Sequence, residues 1–215
     1  MPFIGAPRRP EIDQSAIKFL IGTIALALPL VEYGLTGGSI QSISDSFWYA
    51  PGLWPRDVLV GFLFAISAFL LAYNGQSEPE MWLGKAASLS AAGIAMFPCG
   101  CGDAAREIIP HVHTLSATVM FGVLACFCYI FIRRARAKGH REALWRSYIY
   151  MACGLGMVAS ILLFAAATRR GAEALVFWGE AVGLVSFGIS WLTASRVLPG
   201  ITRPSERERL LVISR

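Results

Sequence analysis

Charge is scarce in this chain. Only 15% of its 215 residues are Asp, Glu, Lys or Arg, against 55% hydrophobic. A soluble domain is about 25% charged, and a water-soluble enzyme of this length has no interior large enough to hide so much apolar surface. Histidine is scarcer still, with His111, His113 and His140 the full complement; a bis-histidine haem site, which needs histidines at matching depth on different helices, is excluded. The five cysteines are too few for a disulfide scaffold. No Gly-x-x-x-x-Gly-Lys phosphate loop and no Gly-x-Ser-x-Gly nucleophile elbow is present. Neither Lys18 nor Lys85 is mid-span, which removes a retinal Schiff base. No internal repeat of the transporter type is visible.

Long apolar runs are abundant, and the mean hydropathy is +0.56. Spanning about 30 Å of hydrocarbon takes about 20 apolar residues, and six runs qualify as candidates: 17–34, 58–73, 83–98, 113–132, 148–168 and 174–194. The expected fold is all-α, a single transmembrane domain over 1–215 forming a six-helix bundle. The run 83–98 is the least apolar, rich in Ala, Gly and Ser. Small residues there (Ala91, Ala92, Gly93) and in the fifth run (Gly154, Gly156) suit close helix contact. The first run is longer than a signal-peptide core and lacks a small-x-small cleavage site, so it reads as a retained span.

The net charge of +5 sits in clusters between the apolar runs, a topology signal and not a nucleic-acid surface. With the N-terminus inside, 15 of the 19 Lys and Arg residues fall on one side and four (Arg56, Arg106, Arg169, Arg170) on the other. Both termini are therefore expected in the cytoplasm. The cytoplasmic segment 133–147 carries Arg133, Arg134, Arg136, Lys138 and Arg141, candidate contacts for anionic lipid head groups.

The two expected outer loops hold most of the chemistry. Segment 35–57 is rich in turn residues and carries an aromatic cluster of Phe47, Trp48, Tyr49 and Trp54, of which the Trp and Tyr types prefer the membrane–water boundary; it reads as an interfacial loop or a lid. The connection after Phe97 brings Cys99, Cys101, His111 and His113 close in sequence. Thiolate and imidazole are the usual zinc ligands, but Cys-x-Cys is tighter than ordinary zinc spacing, and an outer location also allows disulfide formation or uninvolved thiols. Cys126, Cys128 and Cys153 read as packing residues.

An ionisable side chain inside a span is costly and marks a functional site by default. Glu180 lies well inside the sixth span; Glu32 and Tyr33 end the first; Arg56 and Asp57 open the second; His113 opens the fourth. All fall in the expected outer half, and no comparable set is expected in the inner half beyond the exposed basic segment. Glu32, Tyr33, Arg56, Asp57, His113 and Glu180 form the candidate ligand-binding cluster.

Short motifs add a resemblance. Ser42–Asp45 (SISD), Arg56–Phe62 (RDVLVGF), Phe97-Pro98, His113 with Ala117, and Trp178–Leu192 (WGEAVGLVSFGISWL) together resemble a bacterial six-span membrane family of unknown function, distantly similar to the DRAM and Sfk-like membrane proteins. The resemblance implies a six-helix bundle of the bacterial inner membrane, with lipid-handling relatives and no settled activity. Phe97-Pro98-Cys99-Gly100-Cys101 departs from the family pattern, so any thiol chemistry there is particular to this chain.

Three readings follow. The leading one is non-enzymatic: binding of a membrane lipid head group, or packing as an accessory subunit against other membrane-protein subunits. The second is a zinc-dependent intramembrane lipid hydrolase with Glu32, Asp57, His113 and Glu180 converging on the metal. The third is a small proton-coupled transporter.

Overall fold

Each apolar run folds as a helix because a chain in lipid must satisfy its backbone hydrogen bonds internally. A computed structural model describes residues 13–49, 54–100, 108–170 and 174–208. Within them lie six long helices: α1 (Gln14–Leu35), α2 (Trp54–Ala72), α3 (Glu78–Met96), α4 (Val112–Ala137), α5 (Arg141–Arg170) and α6 (Ala174–Ala194). Two 3-10 helices, Ile43–Trp48 and Pro204–Glu206, complete the architecture, and the described residues contain no strand. Five of the helices, all but α3, are long and apolar enough to cross a membrane. The chain is an α-helical integral membrane protein.

Each helix packs on the next, and α6 returns to α1, closing a ring. Ile21, Leu28, Leu63, Ile66, Leu124 and Phe187 fill its centre. Many large apolar side chains point outward instead, Leu30, Leu89, Leu155 and Leu162 among them, as expected of a surface facing lipid tails.

Without a hydrophobic drive between helices in lipid, close approach and interhelical hydrogen bonds set the packing. Gly22 of α1 meets Gly188 of α6 so closely that a Cβ at Gly22 would lie 2.8 Å from the Gly188 carbonyl oxygen. Between α2 and α3, Ser67 Oγ donates to the Ser88 carbonyl (2.9 Å), and Ser88 Oγ donates to the Ser67 carbonyl (2.8 Å). These small and polar residues explain why α3 has low hydropathy yet occupies a full place in the ring.

Helix α1 starts on an Asp13 cap, whose carboxylate accepts from the Ser15 and Ala16 amides at 2.8 and 3.2 Å, a standard N-cap geometry. Helices α4 and α5 run into the basic segment, so that only 138–140 connects them. Hydropathy marks where lipid ends; the Arg- and Ala-rich flanks are good helix formers and continue the helices beyond it.

Candidate functional site

The end of the ring where α1 hands over to α2 is termed here the loop end, and the opposite end the basic end. At the loop end, Gly37 and Gly38 take left-handed φ angles of 60° and 74°, a conformation glycine adopts without a Cβ clash. They turn the chain back so that the 3-10 helix Ile43–Trp48 settles among α1, α2 and α6.

Its N-terminus meets Glu180. Glu180 Oε2 accepts from Ser42 Oγ (2.8 Å), the Ile43 amide (2.5 Å) and the Ser44 amide (3.4 Å), and Ser44 Oγ lies 2.7 Å from Oε1. A carboxylate at a cluster of free backbone amides is an anion at a helix N-terminus, built from the protein itself. On its other side, Ser44 Oγ is 3.1 Å from His113 Nε2, and His113 Nδ1 is 2.8 Å from the Phe97 carbonyl oxygen.

Donor counting restricts the protons. The Phe97 carbonyl only accepts, so His113 Nδ1 must carry hydrogen. The Ser44 hydroxyl has one hydrogen to share between Glu180 and His113. Two arrangements satisfy every contact. In the first, Glu180 is ionised, Ser44 donates to it, and an imidazolium Nε2–H donates to Ser44. In the second, Glu180 is protonated and donates to Ser44, which donates to neutral His113. The two arrangements differ by the net position of one proton, on histidine or on glutamate, with the same heavy-atom positions.

The other expected cluster members lie around the same 3-10 helix but do not join this network. Glu32 is 0% exposed and its carboxyl oxygens have no hydrogen-bond partner; the equally buried Ser46 hydroxyl is beside it. Tyr33 packs on the Phe177 ring, 5.8 Å between centroids. Arg56 and Asp57 are exposed, and the Arg56 guanidinium stacks 4.6 Å from the Phe47 ring centre. The six residues therefore do not form one site: Glu180 joins His113, Glu32 stands alone, Tyr33 packs on Phe177, and Arg56 and Asp57 lie beside an open groove. That groove, about 450 Å³, is lined by Phe47, Arg56, Asp57, Val60, Gly61, Ala95 and Met96.

Cys99 is disulfide-bonded, and Cys126, Cys128 and Cys153 are free. A disulfide sulfur is not the thiolate that zinc requires. Cys101 lies outside the described residues. His111 is exposed and takes a left-handed φ of 65° at the N-cap of α4. Among the described residues, no group of three or more His, Cys, Asp or Glu gathers closely enough to hold a metal ion. Trp48 Nε1 donates to the Cys99 carbonyl at 2.9 Å, pinning the aromatic loop to the α3–α4 connection.

The basic end departs from the expectation that no comparable buried set would be found there. Lys18, Glu80 and Arg146 are all buried. Arg134 grips Glu80 with both guanidinium nitrogens, and Ser77 Oγ adds a bond at 2.8 Å. Past α6, the segment 195–208 folds back over this end. Its Glu206 binds Lys138 (2.7 Å), Arg146 (3.0 Å) and His140 (3.3 Å). Partial burial works against the charged form, but these three hydrogen bonds outweigh it and hold the Glu206 carboxyl at about 2. Of the expected head-group contacts, Arg134 and Lys138 are thus engaged with acids, Arg133 stacks on Tyr129 at 6.0 Å, and Arg136 and Arg141 are exposed.

No family model, curated protein or solved structure matches this chain. Ser42, Ser44 and Phe97 fall in the short motifs of the resemblance, but nothing in the sequence marks them as partners of Glu180 and His113, since loop serines are common and a backbone acceptor has no side chain to read. Lys18, Glu80 and Arg146 sit near helix ends, where water is the default partner; the folded-back segment and the closed ring bury them.

Proposed function

We propose that the protein binds a zwitterionic phospholipid in the groove between α2 and α3 at the loop end, with the head-group phosphate on Arg56 and its ammonium toward Asp57. The observation that carries this reading is the Arg56 guanidinium. It is fixed over Phe47 and has no acidic partner among the described residues, at the mouth of an apolar groove. Arginine is suited to phosphate because its planar fork donates two parallel hydrogen bonds. Val60, Gly61, Ala95 and Met96 continue the groove as a track for an acyl chain. Trp54 is 73% exposed beside it, as aromatic residues are at the membrane boundary.

The reading includes six spans with both termini in the cytoplasm, in a bacterial inner membrane. The place of α3 in the closed ring supports the sixth span. The asymmetry of Lys and Arg and the oxidised state of Cys99 at the loop end support the orientation, because disulfides persist outside the reducing cytoplasm. The bacterial setting, and kinship with the six-span family distantly similar to DRAM and Sfk-like proteins, rest on the sequence motifs alone.

Lipid extraction and mass spectrometry of the protein purified in mild detergent test the head-group site. The wild type should retain a phosphatidylethanolamine-type lipid near one per chain, and Arg56→Gln should lose most of it. Equal lipid content in both would refute the assignment.

A second reading, hydrolysis of a lipid ester, draws on one observation: Ser44 Oγ lies 3.1 Å from a His113 Nε2 whose tautomer Phe97 fixes, the geometry of a nucleophile and its base. Glu180 holds the same hydroxyl at 2.7 Å, so attack requires that bond to switch direction. A fluorophosphonate probe should label the wild type and not Ser44→Ala; an unlabelled wild type ends this reading.

A further inference from the structure

The basic end holds a second cavity, of about 90 Å³, lined by Lys18, Arg134, Lys138, Arg146 and Arg196 together with apolar and aromatic side chains. Five cations converge there. Three carboxylates answer them: Glu80 on Arg134, Glu206 on Lys138 and Arg146, and Glu208 on Arg196 at 3.0 Å. The surplus is two positive charges around this cavity. Lys18 makes it most acute. It is only 6% exposed, makes no ion pair or hydrogen bond among the described residues, and has its ammonium 5.4 Å from the Tyr73 ring and 6.0 Å from the Phe131 ring. A buried ammonium without an anion is costly, and cation–π contacts return only part of that cost.

We infer that this cavity is an anion site for a phosphate monoester group, with Lys18 as its free donor and Arg134, Arg146 and Arg196 completing the cationic wall. Its size fits a single tetrahedral oxyanion with a few waters, and falls well below the roughly 300 Å³ or more of pockets for drug-sized ligands. Free phosphate and the head group of a phosphatidic acid present the same chemistry. The Glu206 carboxylate, held on Lys138 and Arg146, already satisfies part of the wall and competes with an incoming anion for it.

The test uses the full chain in phosphatidylcholine nanodiscs, titrated with inorganic phosphate, and in discs doped with phosphatidic acid without free phosphate. Thermal stability and calorimetry are the readouts, since a ligand of the folded state alone raises its stability with concentration. The wild type should be stabilised by at least one of the two, and the arm that responds identifies the source. Lys18→Met keeps the volume, removes the charge and should fold at least as stably as the wild type without ligand. It should weaken binding by about tenfold or more, the loss expected for one charge-assisted hydrogen bond. Glu206→Gln should bind more tightly than the wild type. A wild type that responds to neither phosphate source overturns the site, as does a Lys18→Met variant that binds as the wild type does. Arg196→Gln provides the same comparison if Lys18→Met fails to fold.

Discussion

Replacing Glu180 by glutamine and by alanine separates the loss of a charge from the loss of a hydrogen-bond hub. The carboxyl group engages Ser42 Oγ, the Ile43 amide, and the amide and hydroxyl of Ser44. Glutamine keeps that shape. Its carbonyl oxygen accepts from Ser42 and Ile43, and its amide nitrogen donates to Ser44 Oγ, which then donates to neutral His113. Every donor retains a partner, and only the charged character of the acceptor is lost, a cost of about 1–2 kcal/mol. Alanine orphans the Ile43 amide and the Ser42 hydroxyl; the Ser44 amide still reaches Ser42 Oγ at 3.1 Å, and the Ser44 hydroxyl still reaches His113. Two orphaned donors at about 1–3 kcal/mol each give an expected loss of about 4 kcal/mol. At about 3 °C per kcal/mol for a chain of this length, tryptophan-fluorescence melts in detergent should place Glu180→Gln about 3–6 °C below the wild type and Glu180→Ala about 12 °C below. Nitrogen NMR of labelled histidine adds an independent check, because glutamine fixes His113 as the neutral Nδ1–H tautomer. Equal melting of the two variants, or an imidazolium His113 in Glu180→Gln, would refute the shared-proton network.

Three further outcomes are expected. Gly22→Ala should destabilise the ring by about 1–3 kcal/mol, since its Cβ would press on the Gly188 carbonyl and the Leu192 amide as an overpacked contact; Gly122→Ala, with open space around it, should instead be neutral or stabilising by up to about 1 kcal/mol. The Glu206 carboxyl, lowered from 4.5 to about 2 on folding, contributes stability that is complete above the ordinary carboxylate range and is lost as pH falls from about 4.5 toward 2. With solvent screening this amounts to about 1–2 kcal/mol; limited proteolysis of segment 195–208 should show protection persisting to about pH 3 in the wild type, and no acid-dependent step in Glu206→Gln. In a variant with Cys126, Cys128 and Cys153 replaced by alanine, a membrane-impermeant maleimide should label intact cells only after reduction; labelling confined to inverted vesicles would reverse the proposed orientation.

The helices were legible because lipid imposes one simple demand, and the run 174–194 coincides with α6. Runs 113–132 and 148–168 fall short of α4 and α5 because hydropathy reports contact with lipid, whereas a helix continues through Arg133, Arg134 and Arg146 into water or into ion pairs. At the loop end, Glu180 and His113 were legible as ionisable groups at membrane depth, but the one serine that joins them, Ser44, is 136 residues from Glu180 and 69 from His113 in sequence, and nothing local marks such a pairing. The metal reading of Cys99, Cys101, His111 and His113 arose from sequence proximity. In the fold, Cys99 is disulfide-bonded and His111 is exposed. At the basic end, the Glu80–Arg134 pair joins α3 to α4 across 54 residues, and polar flanks of this kind are indistinguishable from solvated ones until the ring is closed.

The distribution of charge along the ring bears on the proton-coupled transporter as well. No Asp, Glu, Lys, Arg or His occurs in 19–31, 58–72, 86–98, 114–132, 147–168 or 181–195. The space between Glu32 and Lys18 on α1 is filled by Ile21, Ala25 and Leu28 packed against Leu63, Ile66, Leu124 and Phe187. A proton shared at the loop end thus has no acidic or basic relay leading to the other end, whereas pumps and transporters place such groups along the pathway. The same layout has a mechanical consequence. Apolar side chains give little preference for one helix register in lipid, because the tails are as apolar as leucine. The Glu180–Ser–His113 network at one end and the Glu80–Arg134 and Glu206–Arg146 pairs at the other, with the Gly22–Gly188 crossing between them, fix that register. Each end can then hold its own ligand on a rigid apolar spacer. Ile66→Ala, at the centre of that spacer, should lower stability by about 2–5 kcal/mol through a cavity. If the ends are independent, lipid retention at Arg56 and phosphate binding at Lys18 should both survive it unchanged; a loss of either would show that the spacer couples them.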